Sequence, residues 1–167
     1  MRIRVHNSVY IVYTDGACSN NPGPGGYAFI IIPPDKRELT VSGGKIETTN
    51  NRMELMAIVR ALEHIYNDRK NLAIKKCTVH IYSDSAYCIN PISEGWIYNW
   101  QKSGWKTKKG DPVKNLDLWQ YIYEFLNKKD YLTLFHKVKG HSGNEYNERV
   151  DTLAKEAVKR ICSMNKR

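Results

Sequence analysis

The sequence predicts an α/β domain, with a five-stranded mixed sheet and helices on both of its faces. Three runs rich in β-branched and aromatic residues follow one another near the start, and two more alternate with helical segments later. Successive strands favour an antiparallel edge, and strands separated by helices favour parallel pairing. The length of 167 residues indicates one domain, which we place at residues 1–162, with a flexible tail at 163–167.

Turn residues divide the first three strands. The first strand is predicted to end at Asp15, because the run before it is dense in Val, Ile and Tyr. Residues 19–26 read SNNPGPGG and predict a loop that can hold backbone close to a ligand. Strands at Tyr27–Ile32 and Glu38–Lys45, separated by Pro33 and its proline neighbour, complete a three-stranded meander.

Helical periodicity dominates the rest of the chain. Apolar residues at helical spacing predict a long helix from about Asn51 to Asn67. A strand that ends at Asp84 leads into a short helix, and a later helix is expected at about Asn115–Asn127. A strand at Tyr131–Lys137 and a last helix from about Glu145 complete the predicted order.

Charge and cysteine usage narrow the class of protein. The chain has 26 Lys and Arg against 17 Asp and Glu, a net charge of +9 that favours a polyanionic partner. Its four cysteines form no CxxC pair and have no zinc-site spacing. There is no apolar signal region and no stretch of about 20 apolar residues. We therefore expect a reduced, cytoplasmic chain that does not bind membranes.

Four carboxylates stand in short contexts that suggest a shared site. Asp15 and Asp84 directly follow β-rich runs, so we expect both at strand ends, where open α/β sheets place ligands. Glu54 and Asp151 fall in what the periodicity predicts to be the first turns of two helices. Each carboxylate alone would be an ordinary solvated residue at a strand end or helix start. It is the set of four that predicts a site.

Four clustered carboxylates require cations. Carboxylates brought together raise one another's pKa and resist joint ionisation, and hard divalent cations remove that cost. Ligands that are all oxygen favour Mg²⁺ or Mn²⁺ over zinc. A pair of such ions is suited to in-line displacement at phosphorus. The sequence therefore predicts phosphoryl chemistry dependent on divalent metal ions.

Five stretches occur in a specific order: YTDGACSNNPGPGGYA, TTNNRMEL, IYSDSAYCI, the segment from Trp96 to Trp119, and VKGHSGNEYNERVDTLA. Together they resemble one known family, the single-domain bacterial type 1 ribonucleases H. The resemblance covers nearly the whole chain. It implies the ribonuclease H-like fold and a metal-dependent endonuclease that hydrolyses the RNA strand of RNA–DNA hybrids.

The resemblance implies roles for the acidic residues. Four of them would hold two Mg²⁺ ions, with Mn²⁺ as an alternative: Asp15, Glu54, Asp84 and Asp151. One ion would help to activate the attacking water and the other would stabilise the leaving 3′ oxygen, which gives 5′-phosphate and 3′-hydroxyl ends. His141, in a glycine-flanked loop, would pass protons or favour product departure. The alternative is that His141 is an ordinary exposed residue.

The resemblance also implies a substrate surface. It places Asn21, Asn50 and Asn51 on the minor groove of the hybrid and Thr49 near a phosphate of the DNA strand. Read without the resemblance, the asparagines could merely terminate turns, with Asn50 or Asn51 as the N-cap of the long helix.

The segment from Trp96 to Trp119 resembles the basic protrusion that grips the DNA strand in this family. Its lysines would contact phosphates and its aromatic residues would form a platform. The alternative is a solvated lysine face above tryptophans that belong to the core, to which we assign Trp119. The candidate binding residues in the segment are Trp96, Trp100, Lys102, Trp105, Lys106, Lys108 and Lys109.

Two positions depart from the family pattern. Ala86 stands where glutamine is common, which removes one side-chain contact with substrate. Glu47 stands where a basic residue holds DNA phosphate in some relatives, and its charge has the wrong sign for that task.

Two other functions stay open at this point. One is a catalytically silent module that only binds hybrids, for which loss of a carboxylate would be the expected mark. The other is a related DNA-cleaving nuclease or transposase-like domain. The NNPGPGG loop, the TTNNRMEL stretch and the Trp/Lys segment favour the ribonuclease. We expect a monomer whose partner is an RNA–DNA hybrid.

Overall fold

A five-stranded mixed sheet forms the centre of the protein, with strand order β3-β2-β1-β4-β5. The computed structural model describes residues 8–72, 76–140 and 143–166. The predicted fold class is confirmed. The strands are β1 (Ser8–Cys18), β2 (Gly23–Ile32), β3 (Leu39–Thr48), β4 (Cys77–Ser83) and β5 (Tyr131–Lys137).

The pairing follows the expected division of the sheet. β1, β2 and β3 form an antiparallel meander, and β4 joins β1 in parallel, from the pair Ser8 and Cys77 to the pair Tyr13 and Tyr82. β5 then pairs with β4 in parallel. Because β1, β4 and β5 run in one direction, their carboxyl ends lie at the same edge of the sheet, where parallel sheets place ligands.

Five helices in the described part of the chain connect and cover the strands. The long helix α1 begins one residue earlier and ends five residues later than predicted. The last helix, α5, continues three residues beyond the boundary drawn at residue 162. The helices are α1 (Asn50–Leu72), α2 (Ala86–Ser93), α3 (Trp96–Lys102), α4 (Leu116–Leu126) and α5 (Glu145–Asn165).

Two adjacent glycines of β2 identify the faces that the two long helices cover. A Cβ on Gly25 would lie 2.9 Å from the Met53 side chain of α1, whereas one on Gly26 would lie 2.6 Å from the Ala154 carbonyl of α5. Neighbouring residues of a strand point to opposite faces of the sheet. α1 and α5 therefore pack on opposite faces, and the glycines let both helices approach closely.

These glycines also explain a wrong prediction. Residues 19–26 were expected to form one loop, but Gly23 to Gly26 belong to β2, with Gly25 opposite Cys18 and Gly26 opposite Ala17 on β1. Turn-rich composition suggested a loop because Gly and Pro are rare in strands. Here the strand needs residues without side chains, because helices press on both of its faces.

The main core lies between the sheet and α1, with α4 beside it. α1 contributes a continuous apolar face, and Trp119 of α4 is fully buried, as predicted. Burial of large apolar side chains is the main favourable term in folding. The largest fully buried side chains include Trp119, Tyr10, Phe29, Phe125, Ile30 and Met53.

None of the helices in the described ranges has the length and the apolar composition that crossing a membrane requires.

A paired arginine joins the starts of α1 and α4. Arg52 donates to both carboxylate oxygens of Asp117, at 3.0 and 2.6 Å, and to Asn115 Oδ1 at 3.3 Å. Such bidentate pairs fix geometry more than they add stability when they are exposed. The pair ties the segment that precedes α4 to the N-terminal end of α1, which carries Glu54.

Candidate active site

Asp15 lies inside β1 rather than at its end, so the predicted strand end is wrong by three residues. It pairs with Ala28 of the antiparallel neighbour β2. Parallel pairing with β4 nevertheless stops at Tyr13, and Asp84 comes directly after the last residue of β4. Both carboxylates therefore lie just beyond the parallel part of the sheet, at its carboxyl edge. The discrepancy arises because β2 continues to pair with β1 after β4 has ended.

Glu54 reaches this edge because Gly16 has no side chain. A Cβ on Gly16 would lie 2.9 Å from the Glu54 Cα and closer still to the Glu54 backbone nitrogen. The start of α1 can press directly on β1 only where that Cβ is missing. Glu54 is the fifth residue of α1, just past the first turn, so the prediction of a first-turn position is wrong by one residue. One turn into the helix, its carboxylate meets that of Asp15.

Three carboxylates converge at one point. One oxygen each from Asp15, Glu54 and Asp84 lie within 4.8 Å of one another. Asp15 is 4% exposed and Glu54 6% exposed, whereas Asp84 is half-buried. Among the described residues, Glu54 Oε2 is buried without a hydrogen-bond partner. A buried carboxylate oxygen without a hydrogen-bond partner destabilises the folded protein unless a cation or a water molecule binds it.

The cluster resists ionisation. Burial, followed by the charge of Asp84, raises the pKa of Asp15 to about 7, although hydrogen bonds from Glu54 and from the Gly16 backbone oppose the shift. The Gly16 backbone N–H donates to Asp15 Oδ1 at 2.9 Å. Burial and the charges of Asp15 and Asp84 raise the pKa of Glu54 well above its usual value. The clustered carboxylates thus oppose one another's ionisation.

Asp151 lies at the rim rather than in the cluster. It is the seventh residue of α5, in the second turn, so the prediction of a first-turn position is wrong. The helix begins at Glu145 as expected, and the dipole effect declines after one turn. Asp151 pairs with Lys155 Nζ at 2.9 Å, and its side chain is 34% exposed. Its charge still raises the pKa of Asp15.

His141 lies outside the described residues. The chain that precedes it approaches the site: Val138 donates its backbone N–H to the Ser83 carbonyl at 2.8 Å. A Cβ on Gly140 would lie 3.7 Å from Asp84 Oδ2. The residue before His141 therefore lies next to one of the clustered carboxylates.

A hard divalent cation fits this donor set. The donors are all carboxylate oxygens, which suit Mg²⁺ or Mn²⁺ better than softer metals. A cation would satisfy the buried Glu54 Oε2 and would favour the ionised forms of Asp15 and Glu54. The three clustered side chains and the nearby Asp151 are the residues that could hold it.

Asn21 and Thr49 both cap α1. The Asn50 backbone N–H donates to Asn21 Oδ1 at 3.0 Å, and the Arg52 N–H donates to Thr49 Oγ1 at 3.2 Å. Thr49 is thus the N-cap, and Asn50 is already helical, which corrects the predicted cap. Sequence could not reveal the Asn21 contact because it joins residues 29 positions apart. Asn51 is exposed beside them.

Comparison with known proteins now assigns the family. The family model described as RNase H matches residues 7–159. This chain belongs to the ribonuclease H family. The ribonuclease H of Chlorobaculum parvum is 48% identical over 149 residues, covering 89% of this chain and 94% of the relative. That of Hahella chejuensis is 50% identical over 149 residues, covering 89% and 92%. The chain is therefore an enzyme of the ribonuclease H type, as the sequence motifs predicted.

Solved structures agree with the assignment. The crystal structure of LC9-RNase H1, a type 1 RNase H with the type 2 active-site motif, matches with a TM-score of 0.76 and 26% identity, covering 92% of this chain and 74% of that one. LC11-RNase H1 in complex with RNA/DNA hybrid matches with a TM-score of 0.62 and 26% identity, covering 90% and 97%. The sheet and helices described above are thus those of a ribonuclease H.

In this ribonuclease H, residues 96–114 form a basic segment, which we call the basic protrusion. It contains α3 and a loop closed by an antiparallel bridge between Lys106 and Pro112. A cleft of about 690 Å³ opens on it, lined in part by Trp96, Lys106 and Lys108. The four predicted lysines are all exposed: Lys102, Lys106, Lys108 and Lys109.

The tryptophans of the protrusion differ in their surroundings. Trp100 packs edge-on against buried Trp119, with ring centroids 5.4 Å apart, and Trp105 packs edge-on against Tyr123 at 5.7 Å. Trp96 is 45% exposed and lines the cleft together with half-buried Trp100. Two of the three predicted platform residues thus anchor the protrusion to the core, and Trp96 is the most exposed of the three.

The sequence did not predict a group of side-chain contacts that holds the start of α5 against the sheet. The Tyr146 ring stacks on Tyr13 of β1 at 4.9 Å, and its hydroxyl donates to Glu38 Oε1 at 3.0 Å. Arg149 pairs with the other oxygen of Glu38 at 3.0 Å. These contacts fix the first turn of α5, close to Asp151. The only signal was an aromatic residue beside the predicted helix start, and nothing in the sequence connects it with Tyr13.

The two departures from the family pattern lie on the surface. Ala86 is the exposed first residue of α2, two residues after Asp84, and Glu47 is exposed near the end of β3, beside Thr49. Neither side chain contacts the buried carboxylates. Their effect on substrate affinity stays a prediction.

Proposed function

We propose that this ribonuclease H is a metal-dependent endonuclease that hydrolyses the RNA strand of RNA–DNA hybrids. The observation that carries the proposal is the convergence of Asp15, Glu54 and Asp84 within 4.8 Å, with Glu54 Oε2 buried and unpartnered among the described residues. Such a cluster costs stability, and a fold retains it only where function requires it. The family assignment identifies that function as RNA cleavage.

The carboxylates would hold two Mg²⁺ or Mn²⁺ ions, with Asp151 completing the set at the rim. When bound, such ions activate water and stabilise the leaving 3′ oxygen, which leaves 5′-phosphate and 3′-hydroxyl ends. Lys155, 2.9 Å from Asp151, balances the charge of that carboxylate and keeps it extended along α5. The Gly16 N–H orients Asp15 through its hydrogen bond to Oδ1. These contacts hold the ligands in place before substrate arrives.

We assign His141 the role of moving a proton or helping product to leave. Its neighbour Gly140 lies beside Asp84 Oδ2, and this proximity supports a role for an imidazole at the next position. A histidine titrates near neutral pH and can both accept and donate a proton. It would assist turnover without being a metal ligand.

The minor-groove surface would lie at the start of α1. Asn21 Oδ1 is used to cap the helix, so its Nδ2 group is the part available to a ribose 2′-hydroxyl. Exposed Asn51 and the neighbouring Asn50 extend the same surface, and Thr49 lies beside them toward a DNA phosphate. The 2′-hydroxyl is what distinguishes RNA from DNA at such a surface.

The basic protrusion would bind the DNA strand. Its exposed lysines supply phosphate contacts, and Trp96 supplies an apolar surface at the edge of the cleft. Trp100 and Trp105 would act indirectly, by holding the protrusion against α4. Support for the substrate comes from LC11-RNase H1, which has the same fold and is known in complex with RNA/DNA hybrid.

The test is a comparison of nucleic acids at matched concentration with and without Mg²⁺. Purified protein should cleave the RNA strand of a hybrid, and should leave duplex RNA, duplex DNA and single strands intact. Asp84→Asn is the inactive control, and it should bind hybrid in gel-shift assays. Binding without cleavage by the wild type would favour the silent module, and cleavage of duplex DNA would favour the DNA nuclease.

A further inference from the structure

Two histidines touch on the parallel strands whose carboxyl ends carry the acidic cluster. His80 on β4 and His136 on β5 have ring centroids 5.1 Å apart, and His80 Nδ1 lies 2.8 Å from His136 Nε2. His80 comes four residues before Asp84, and His136 is paired with Tyr82, two residues before Asp84. Neither imidazole belongs to the site described above.

The pair lies on the sheet face that carries α5, toward the β5 edge. β4 and β5 alternate between buried residues on the core side and more exposed ones on the other, and both histidines belong to the more exposed set. α5 packs on β1, β2 and β3. Leu132 and Leu134, on the same face of β5 as His136, are 58% and 38% exposed. The imidazoles are therefore half-buried and reachable from solvent.

We propose that His80 and His136 form a second metal site, which takes a transition metal ion such as Zn²⁺ or Cu²⁺. Imidazole nitrogen suits these ions, whereas the all-oxygen cluster at Asp15 suits Mg²⁺ and Mn²⁺. The protein would then hold two classes of metal at two separate places. This inference does not rest on the proposed function.

The distance between the two nitrogens favours joint ligation. With metal–nitrogen bonds of about 2.05 Å, two imidazoles on one ion have their nitrogens about 2.9 Å apart at a right angle and about 3.3 Å apart at a tetrahedral angle. The observed separation is 2.8 Å. In the observed pair the two nitrogens face each other, so a common ion requires both half-buried rings to turn until their lone pairs point to the same side of the line between the nitrogens. Water can then complete the coordination from the solvent side.

The proton balance is also favourable. In the neutral pair, one of the two facing nitrogens carries the hydrogen that they share, and the other accepts it. Ligation needs that hydrogen to move to the outer nitrogen of the same ring, so no proton need leave the neutral pair. Burial and neighbouring His80 lower the pKa of His136, which favours its neutral form near pH 7. Tyr82 stacks on His136 with ring centroids 4.7 Å apart, so an aromatic ring lies against one side of the pair.

The site would join the edge strand to its neighbour. β5 is an edge strand of the sheet, and an ion bound to both histidines would connect it to β4 between diagonal positions, because His80 is paired with Leu134 and His136 with Tyr82. A ligand that binds only the folded protein raises its free energy of unfolding with the logarithm of the ligand concentration relative to Kd. Zn²⁺ should therefore raise the midpoint of thermal unfolding of the wild type.

The test uses Zn²⁺ and Cu²⁺ as probes, with excess Mg²⁺ present to occupy the carboxylates. Calorimetric titration should give one Zn²⁺ per chain at this site, and His80→Asn or His136→Asn should weaken its binding at least about tenfold. His64→Asn, which removes an exposed histidine of α1, is the matched control and should leave binding unchanged, as should Asp15→Asn. Cleavage of hybrid by His80→Asn at the wild-type rate would establish that the variant is folded.

Electron paramagnetic resonance of Cu²⁺ on the wild type tests the ligands without any variant. Splitting by two imidazole nitrogens is expected, and one nitrogen or none would overturn the proposal. Equal Zn²⁺ affinity in the wild type and in both histidine variants would overturn it as well, as would loss of binding in His64→Asn.

Discussion

Gly16 of β1 and Glu54 of α1 lie so close together that a side chain on the first would displace the second. A Cβ on Gly16 would lie 2.5 Å from the Met53 carbonyl carbon and 2.9 Å from the Glu54 Cα. These are backbone atoms, so no rotamer change can relieve the overlap. The glycine in the TDGA motif is therefore what admits Glu54 to the cluster beside Asp15.

Gly16→Ala should push the start of α1 away from β1. We expect the free energy of unfolding to fall by about 1–3 kcal/mol, as for other overpacked interior sites, and hybrid cleavage to fall with it because Glu54 moves. Chemical denaturation and steady-state kinetics would measure both. Gly140→Ala is the control for stability, because its Cβ would meet Asp84 Oδ2 at an ordinary 3.7 Å. Equal stability and activity in wild type and Gly16→Ala would contradict the close approach.

Asp15→Asn should abolish cleavage and stabilise the metal-free protein. The amide keeps the shape of the side chain while removing one of the charges that burial and Asp84 oppose. We expect a gain of about 1–3 kcal/mol in the free energy of unfolding in chelator-treated buffer near neutral pH. Glu47→Gln, which neutralises an exposed carboxylate, should change that stability very little. A destabilised Asp15→Asn protein would argue against carboxylate repulsion.

Without metal, stability should decline as the pH rises from about 4 to about 7. The pKa of Asp15 is about 7 in the folded protein against an ordinary 3.8, so the folded state binds more protons than the unfolded state in this window. The stabilising contribution is complete below the unfolded pKa and is lost as the pH passes through the folded one. Urea unfolding at several pH values would measure the slope.

Two controls accompany that measurement. Asp15→Asn should have a shallower slope, because one of the groups that titrate is absent. Saturating Mg²⁺ should also flatten it, because a bound cation favours the ionised carboxylates. A metal-free profile that rises between pH 4 and pH 7 would mean that other groups dominate the pH dependence.

Part of the site could be predicted from sequence because each piece is local. Asp84 follows a strand whose alternation of residues is clear, and the TDGA and NERVD contexts identify Asp15 and Asp151. The sequence predicts less accurately where a residue lies within its strand or helix. Asp15 lies inside β1 because antiparallel pairing with β2 outlasts parallel pairing with β4, and no local pattern reports the length of a partner strand.

The contacts that sequence could not supply join distant parts of the chain. Tyr146 meets Tyr13, and Arg52 meets Asp117, only after the fold has formed. Composition alone predicts a loop for the glycine-rich residues 19–26. Packing of α1 and α5 on the two faces of β2 instead requires glycine within that strand. The intrinsic strand propensity of a residue predicts secondary structure poorly where tertiary packing determines it.

Replacing lysines of the protrusion should weaken binding and its dependence on salt. Lys106→Gln together with Lys108→Gln removes two exposed charges at the cleft. Each lost phosphate contact should reduce the logarithmic salt slope by roughly 0.7 to 0.9, and the maximal rate should fall less than the affinity. Salt titrations of hybrid binding would measure the slope.

The matched control is Lys76→Gln with Lys129→Gln. Both lysines are exposed and lie just before β4 and β5, at the sheet edge opposite the carboxylates. These two substitutions should leave the salt slope of hybrid binding nearly unchanged. If both pairs have the same effect, the lysines of the protrusion contribute only general charge.

His141→Ala should slow turnover by about 10- to 100-fold while leaving hybrid affinity nearly unchanged. The imidazole is expected to assist proton movement, so its loss should also remove an ionisation near a histidine's usual range from the pH profile. Rates measured between roughly pH 6 and pH 9 would test this. Profiles of the same shape and height would make His141 an ordinary surface residue.

The most direct test of the carboxylate site is the rate of hybrid cleavage by the wild type and by Glu54→Gln as Mg²⁺ is added to chelator-treated protein. Glu54 is buried and its Oε2 has no partner among the described residues, so a cation is the natural occupant of its environment. We expect no cleavage without metal, Mg²⁺-dependent cleavage by the wild type, and a loss of at least about 1,000-fold in the variant. Metal-independent cleavage, or a Glu54→Gln protein with near-normal turnover, would contradict the proposal that these carboxylates form a metal-dependent active site.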